Sequence, residues 1–231
     1  MMRLKIKVNN KLIDDIKLKT GDILLCYNAN SCIAGMIEKA TSSKYCHAAI
    51  FYGDSFVAES VAKDGLKKGK IGKTKIQDLI SRYDHVAVLR QPDAWSTLDR
   101  VSALKLFIDK TIANEAKYNT KGILNFVKRK KLHKSSIYDK LNAFFNDEQH
   151  DYSPEKSSYF CSEFVCDCFI ATEFIESSAA VVYQANTYSP GDLGNDPTFG
   201  TFLGYLAHDK DYTIPEDDVF YNHSTFDEIF G

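Results

Sequence analysis

The chain has 231 residues, of which 44% are hydrophobic and 26% charged, and its formal net charge is −2. This balance is typical of a globular protein with its own core, and it lacks the strongly basic character of most nucleic-acid-binding domains. No stretch of the sequence approaches the run of about 20 apolar residues that a membrane-spanning helix needs.

The first residues, Met1 to Lys7, lack the apolar stretch of a secretory signal, so we expect a cytoplasmic protein, with secretion by a signal-less route left open. The chain contains six cysteines. Because it is neither short nor visibly secreted, reduced thiols are expected rather than disulfides. Cys166 and Cys168 are too closely spaced for a zinc knuckle, so we expect no metal site and no cofactor.

The apolar patterns predict alternating strands and helices, with turns at glycine, proline and asparagine. The predicted strands are Leu4–Val8 with Lys11–Lys19 as its hairpin partner, Ile23–Tyr27, Tyr45–Tyr52, Ser55–Ser60 and His85–Arg90. The predicted helices are Cys32–Ala40, Ile76–Arg82, Ser96 to about Ile112, and Phe160–Phe169. Surface loops are expected at Lys63–Lys75 and Asn186–Gly200.

The chain shows no internal repeat and no low-complexity linker, so a single domain spanning residues 1–231 is the simplest reading. A basic run from Val127 to Lys131 is expected to be a solvated face, with a patch for an anionic lipid or nucleic acid as the alternative. His85, His133, His150, His208 and His223 are predicted to be solvated rather than catalytic.

Cys161 is the candidate nucleophile. Ser157 and Ser158 are plausible N-cap residues, which would place Cys161 in the first turn of the following helix. The partial positive charge at a helix N-terminus lowers a thiol pKa, and its free N–H groups can stabilise an oxyanion. The alternative is that Cys161 is a small buried apolar residue.

His47 and Glu59 are the candidate partners of Cys161. A histidine inside the apolar strand Tyr45–Tyr52 is either satisfied by a core neighbour or serves as a base. If the hairpin turn is Tyr52–Asp54, Glu59 lies opposite His47 and could orient its ring. If the turn is Gly53-Asp54 alone, Ser60 takes that place, and the sequence leaves both registers open.

The chain resembles the circularly permuted NlpC/P60 proteins, a papain-like thiol peptidase superfamily, and specifically the YiiX-like branch. In that branch the histidine and its polar partner precede the cysteine, which is the order found here. The resemblance spans roughly Lys19 to Leu206. The segments that carry it are Gly21–Leu25, Cys46–Ile50, Val57–Glu59, Ala116–Asn119, Tyr159–Val165 and Ser189–Leu193.

The resemblance implies an α+β, papain-like fold in which an antiparallel sheet carrying His47 and Glu59 packs against helices, with Cys161 at a helix N-terminus. Residues 1–18, about 120–155 and about 207–231 fall outside the pattern. They are interpreted as an N-terminal hairpin extension, an insert and a C-terminal tail.

We therefore expect a cysteine hydrolase that acts on an amide or peptide bond through a Cys161–His47–Glu59 triad. Two alternatives remain open. One is a lipid acyltransferase or thioesterase, because Cys161–Val165 also resembles the cysteine segment of lecithin:retinol acyltransferase-type proteins; the other is an inactive binding or regulatory protein.

Besides the backbone N–H of Cys161, the candidates for the oxyanion site or the cleft are Tyr45, Tyr27 and Ser162. The expected partner is a small peptide, amide or acyl-lipid substrate. No nucleic acid and no transmembrane segment are expected, and the sequence leaves the oligomeric state open.

Overall fold

An eight-stranded sheet organises the protein. The computed structural model describes residues 11–29, 43–63, 67–93, 95–146 and 152–231, and within them the fold is α+β. The strands are β1 (Ile23–Tyr27), β2 (Tyr45–Gly53), β3 (Phe56–Lys63), β4 (Lys67–Lys75), β5 (His85–Arg90), β6 (Lys117–Tyr118), β7 (Ser158–Tyr159) and β8 (Thr201–Leu206).

The strand order across the sheet is β7-β6-β4-β3-β2-β1-β5-β8. Neighbouring strands are antiparallel except β6 and β7, two-residue strands that run side by side in the same direction. The sheet is therefore mixed rather than purely antiparallel. Leu12 adds an isolated parallel bridge to Tyr205 in β8.

Apolar residues cover both faces of the central strands. Residues of β1 alternate between two clusters, with Ile23 and Leu25 on one face and Leu24 and Cys26 on the other. Burial on both sides explains why β1 and β5 are continuous apolar runs rather than alternating ones. The helices are α1 (Ile76–Ile80), α2 (Leu98–Ala113), α3 (Thr120–Leu124), α4 (Phe126–Phe145), α5 (Cys161–Ala171), α6 (Pro190–Asn195) and α7 (Phe226–Phe230).

The predicted loop Lys63–Lys75 is wrong, because most of it is the strand β4. Its lysines and glycines suggested a surface loop, yet β4 pairs along β3, and Ile71 points into the core. Gly69 lies against β3 at a bulge near Val61: a Cβ added at Gly69 would lie 1.8 Å from the carbonyl oxygen of Val61. The glycine thus permits close strand approach instead of marking a loop.

Four other predicted segments differ or fall outside the described residues. Lys11–Lys19 forms no strand; it contains a 3₁₀ turn, Asp15–Lys17, beside the bridge at Leu12. The predicted strand Leu4–Val8 and helix Cys32–Ala40 lie outside the described residues. The predicted loop Asn186–Gly200 contains α6, whose Ser189 side chain accepts a hydrogen bond from the Asp192 amide.

The C-terminal tail is fastened to the sheet by the buried carboxylate of Asp218. Tyr45 and Tyr205 donate hydrogen bonds to it, and Nε2 of His85 lies 3.0 Å away. The expectation that His85 is solvated is therefore wrong, since its side chain is fully buried. A histidine at a strand start gives no local sign of burial, because its partner comes from 133 residues further along the chain.

Replacing Asp218 by alanine should destabilise the fold by at least about 3 kcal/mol, because three buried side chains and the Phe220 amide lose their hydrogen-bond partner. Asp217→Ala is the matched control, since the Asp217 side chain is 72% exposed and its ion pair with Lys44 lies at the surface. That variant should change the free energy of unfolding by no more than about 0.5 kcal/mol. Urea denaturation of both variants measures the difference, and equal midpoints would contradict this role for Asp218.

Candidate active site

Three elements bring Cys161, His47 and Glu59 together. Cys161 is the first residue of α5, directly after β7, while His47 lies in β2 and Glu59 in the neighbouring β3. All three side chains are buried, with Cys161 5% and Glu59 1% exposed. A thiol, an imidazole and a carboxylate thus share one buried site although they are up to 114 residues apart (161 − 47) in the sequence.

The β2–β3 hairpin has neither of the two predicted turns. Asp54 and Ser55 form its loop, with φ of 52° and 63°, as in a type I′ turn, and β2 is bulged between Phe51 and Gly53. The resulting register places Ala49 opposite Glu59. His47, two residues from Ala49, lies diagonally across from Glu59 on the same face, and its Nε2 is 2.8 Å from Oε2 of Glu59.

Ser60, the other residue considered opposite His47, points to the opposite side of β3. Its hydroxyl donates a 2.7 Å hydrogen bond to the carbonyl oxygen of Tyr159. Tyr159 lies two residues before Cys161. On one face of β3, Glu59 therefore contacts the imidazole, and on the other face Ser60 holds the backbone just before α5.

The Glu59 carboxylate is surrounded by donors. Besides His47, Nη2 of Arg82 lies 2.6 Å from Oε1, and the Thr74 hydroxyl also donates to the carboxylate. Burial alone would raise the pKa of Glu59, but the hydrogen bond from His47 and the charges of His47 and Arg82 lower it to about 2. Glu59 is therefore ionised throughout the neutral range.

The His47 ring is held between its carboxylate and an aromatic plane. Tyr83 stacks on it with ring centroids 5.8 Å apart and an angle of 7° between the planes. Burial opposes the charged imidazole, but hydrogen bonds to Cys161 and Glu59 outweigh it and raise the pKa of His47 to about 9. Since Nε2 faces Glu59, Nδ1 is the ring nitrogen left for the sulfur.

The Cys161 thiol has a lowered pKa. Burial acts to raise it, yet the hydrogen bond and the charge of His47 lower it, as do the backbone N–H groups of Ala48 and Ser162. With His47 protonated up to about pH 9, a thiolate–imidazolium pair is favoured between the lowered pKa of Cys161 and that limit. This pair is chemically able to attack a carbonyl carbon and protonate a leaving group.

The start of α5 differs in detail from the prediction. Phe160, rather than Ser157 or Ser158, is the N-cap residue, and its amide donates to the Glu163 carboxylate at 3.3 Å. Lys156 lies 3.0 Å from the same carboxylate. Glu163 thus fixes the first turn of α5, and Lys156 balances the charge of its carboxylate. The helix N-terminus therefore remains electrostatically positive beside the sulfur.

The three other predicted site residues are occupied by structural contacts. Tyr45 donates to both oxygens of Asp218, and Tyr27 stacks on His85 with ring centroids 4.5 Å apart. The Ser162 hydroxyl donates to the Tyr188 carbonyl oxygen at 2.8 Å, so only its backbone amide faces the sulfur. The structure brings Tyr45 and Tyr27 to the Asp218 cluster rather than to Cys161.

Sequence reasoning did not identify Arg82, Tyr83 and Tyr118 as site residues. Burial, and then the negative charge of Cys161, raises the pKa of Tyr118, so this tyrosine lies within electrostatic range of the thiol. Tyr118 reaches the site because β6 pairs with β7 just before Cys161. The Arg82-Tyr83 pair sits in the turn between α1 and β5, and only the tertiary fold brings that turn to His47.

The other described thiols lack such activation. Burial raises the pKa values of Cys26, Cys166 and Cys168 well above the ordinary range. Cys46 is partly exposed, yet burial and the charge of Cys161 raise its pKa to about 12. Among the cysteines of the described segments, Cys161 alone has a lowered pKa.

A cavity of about 410 Å³ lies between α4 and the segment that follows α5. Its lining includes Lys130, Tyr188 and Asp192. It adjoins the cysteine helix through the hydrogen bond between Ser162 and the backbone of Tyr188. This charged and aromatic lining suits a polar part of a ligand.

Comparison with known proteins gives one coarse indication of activity. No family model matches the chain. The chain is similar to a protein of Escherichia coli (strain K12) named "Probable lipoprotein peptidase YaeF", with 27% identity over 213 residues that cover 84% of this chain and 71% of the relative. A distant relative named as a probable peptidase supports a peptidase-like hydrolase and a relation to a peptidase-like superfamily, at that coarse level.

Proposed function

We propose that the protein is a cysteine hydrolase that cleaves an amide or peptide bond, with Cys161 as nucleophile, His47 as acid and base, and Glu59 as the group that orients the imidazole. The observation that carries the proposal is the continuous chain of contacts from Glu59 through His47 to a thiol of lowered pKa. A merely structural cysteine has no need of a charged imidazole partner.

In the proposed reaction the Cys161 thiolate attacks the carbonyl carbon, and a C–S bond forms as the carbonyl electrons move to oxygen. His47 then gives its proton to the leaving amine, and the C–N bond breaks to leave a thioester. Water, deprotonated by His47, attacks the thioester, and the thiolate departs. Glu59 remains ionised and keeps Nδ1 of the ring directed at the sulfur.

The oxyanion of the tetrahedral intermediate is assigned to amide donors at the start of α5. The Ser162 N–H already points at the sulfur, and the first amides of a helix have no intrahelical acceptor. The Cys161 N–H is the second candidate donor. Tyr118, which lies near the thiol, replaces Tyr45 and Tyr27 as the candidate side-chain donor.

The similarity to a protein named as a probable lipoprotein peptidase favours peptide-bond cleavage over acyl transfer. Acyl transfer or thioester cleavage on a lipid remains the second proposal, since it would use the same thioester and differ in the acceptor. The third proposal, a binding protein without activity, gives no account of the lowered pKa of Cys161.

Hydrolysis of a pool of fluorogenic peptide amides tests the proposed function. The wild-type protein should release the fluorophore and form a thioester adduct on Cys161 that mass spectrometry detects. Cys161→Ala should reduce the rate to background. Turnover that survives Cys161→Ala would refute the proposal. An acyl-lipid adduct without peptide turnover would favour the second proposal instead.

Iodoacetamide should label Cys161 rapidly at neutral pH, because its lowered pKa favours the thiolate. Cys161→Ser should abolish the fast phase, whereas Cys46→Ser should leave it intact, since the raised pKa of Cys46 keeps that partly exposed thiol protonated. Peptide mapping by mass spectrometry locates the label. Fast labelling that persists in Cys161→Ser would point to a different reactive thiol.

Glu59→Gln should narrow the pH range of activity. Cys161 and Glu59 together raise the pKa of His47 to about 9, so loss of the Glu59 charge lowers that pKa, and the alkaline limb of the rate profile should move to lower pH by about one unit. The acid limb should move to higher pH, because an imidazolium that Glu59 no longer stabilises lowers the pKa of Cys161 less. Glu176→Gln, at an exposed glutamate, is the control and should leave both limbs in place.

A further inference from the structure

The outward face of α4 combines large apolar side chains with lysines. Tyr138 is 79% and Phe145 77% exposed, and Val127 and Leu132 are each more than half exposed. Monomeric proteins rarely leave so many large apolar groups on one helix in water. This outward face of α4 therefore needs a physical explanation.

The same face is basic, although the chain as a whole has a net charge of −2. Of the six lysine and arginine residues of α4, three are exposed, Lys128, Lys131 and Lys134, against one exposed acidic residue, Asp139. The side chains of these three lysines are exposed, with Lys134 at the edge of the cavity beside α4, and no ion pair to them is formed within the described part of the chain. Positive charge is thus concentrated beside the exposed apolar groups.

The spacing puts both kinds of side chain on one stripe. Val127, Lys131, Lys134, Tyr138 and Phe145 follow at intervals of four, three, four and seven residues, which is the repeat of a single helix face. The inner face makes the contacts with the rest of the protein, and these use other side chains. A mixed apolar and basic outer stripe is typical of a helix that lies in a lipid–water interface.

The inner face shows that the outer lysines are not needed to hold α4 in place. Phe126 is buried, Arg129 donates to the backbone of Gly122 and Asn186, and Lys130 pairs with Asp192 at 2.6 Å. The helix is therefore anchored from behind, with its outer stripe free to engage a partner.

We propose that the outward face of α4 docks on an anionic lipid bilayer, with its apolar side chains in the headgroup boundary and its lysines against the lipid phosphates. A second copy of the chain is a poorer occupant, because a symmetric dimer through this face would bring the lysines of both copies together. Anionic lipid supplies the opposite charge and the apolar depth at once.

Docking would also orient the candidate active site, a consequence that rests on the proposed function. Phe126 packs edge-on against Phe160, with ring centroids 6.0 Å apart, and the Arg129 guanidinium lies 5.8 Å from the same ring. Phe160 directly precedes Cys161. The start of α5 would thus lie close to the membrane surface, where a membrane-anchored substrate is presented.

Co-sedimentation with vesicles tests the docking. The wild-type protein should bind vesicles of mixed phosphatidylcholine and phosphatidylglycerol far better than vesicles of phosphatidylcholine alone. Replacing Lys128, Lys131 and Lys134 together by glutamine should weaken binding on the order of a hundredfold. Tyr138→Glu and Phe145→Glu should each weaken it, by tenfold or more.

Leu106→Glu is the matched control, since Leu106 is 70% exposed on α2 and lies outside the proposed surface. It should bind as the wild type does, and so should Cys161→Ala, which separates docking from catalysis. Circular dichroism confirms that each variant is folded. The proposal fails if anionic vesicles do not bind, if Leu106→Glu weakens binding as much as Tyr138→Glu, or if the face binds only nucleic acid or a second copy.

Discussion

A buried negative charge on Glu59 is the constraint on which the candidate site depends. A carboxylate that is only 1% exposed is stable as an anion only when donors surround it, and Arg82, His47 and Thr74 provide them. Cys161 and Glu59 raise the pKa of His47, and the protonated imidazole in turn lowers the pKa of Cys161. The reactivity assigned to the thiol thus depends in part on Glu59, a residue of β3.

Two neighbouring residues of β3 make this arrangement possible, because they contact different elements from opposite faces of the strand. Glu59 points to the imidazole, and Ser60 fixes the backbone just before Cys161. A slip of one residue in the β2–β3 register would exchange these two side chains and remove both contacts. The bulge in β2 and the loop at Asp54 and Ser55 set that register, so a turn distant from the sulfur determines the geometry at the sulfur.

The sequence predicted those parts of the structure that depend on local patterns. Apolar runs located β1, β2, β5 and α5, and the position of Cys161 near a helix start predicted its electrostatic environment. Lys67–Lys75 escaped prediction because its pairing with β3, and not its own composition, makes it a strand. Arg82, Tyr118 and Asp218 acquire their roles only through distant contacts, for which the local sequence carries no signal. The turn between β2 and β3 was ambiguous for another reason, since a bulge changes the register without changing the apolar pattern.

Within the described residues, none of the helices has the length and apolar character needed to span a bilayer.

The central claim concerns the thiolate–imidazolium pair. It is tested most directly by titrating the ultraviolet absorbance of the thiolate together with the His47 imidazole signals in nuclear magnetic resonance. The account predicts a thiolate that is lost in Cys161→Ser and forms below the ordinary thiol pKa of roughly 8.5, with His47 protonated up to about pH 9. A Cys161 thiol that titrates at the ordinary value beside a neutral His47 would contradict it.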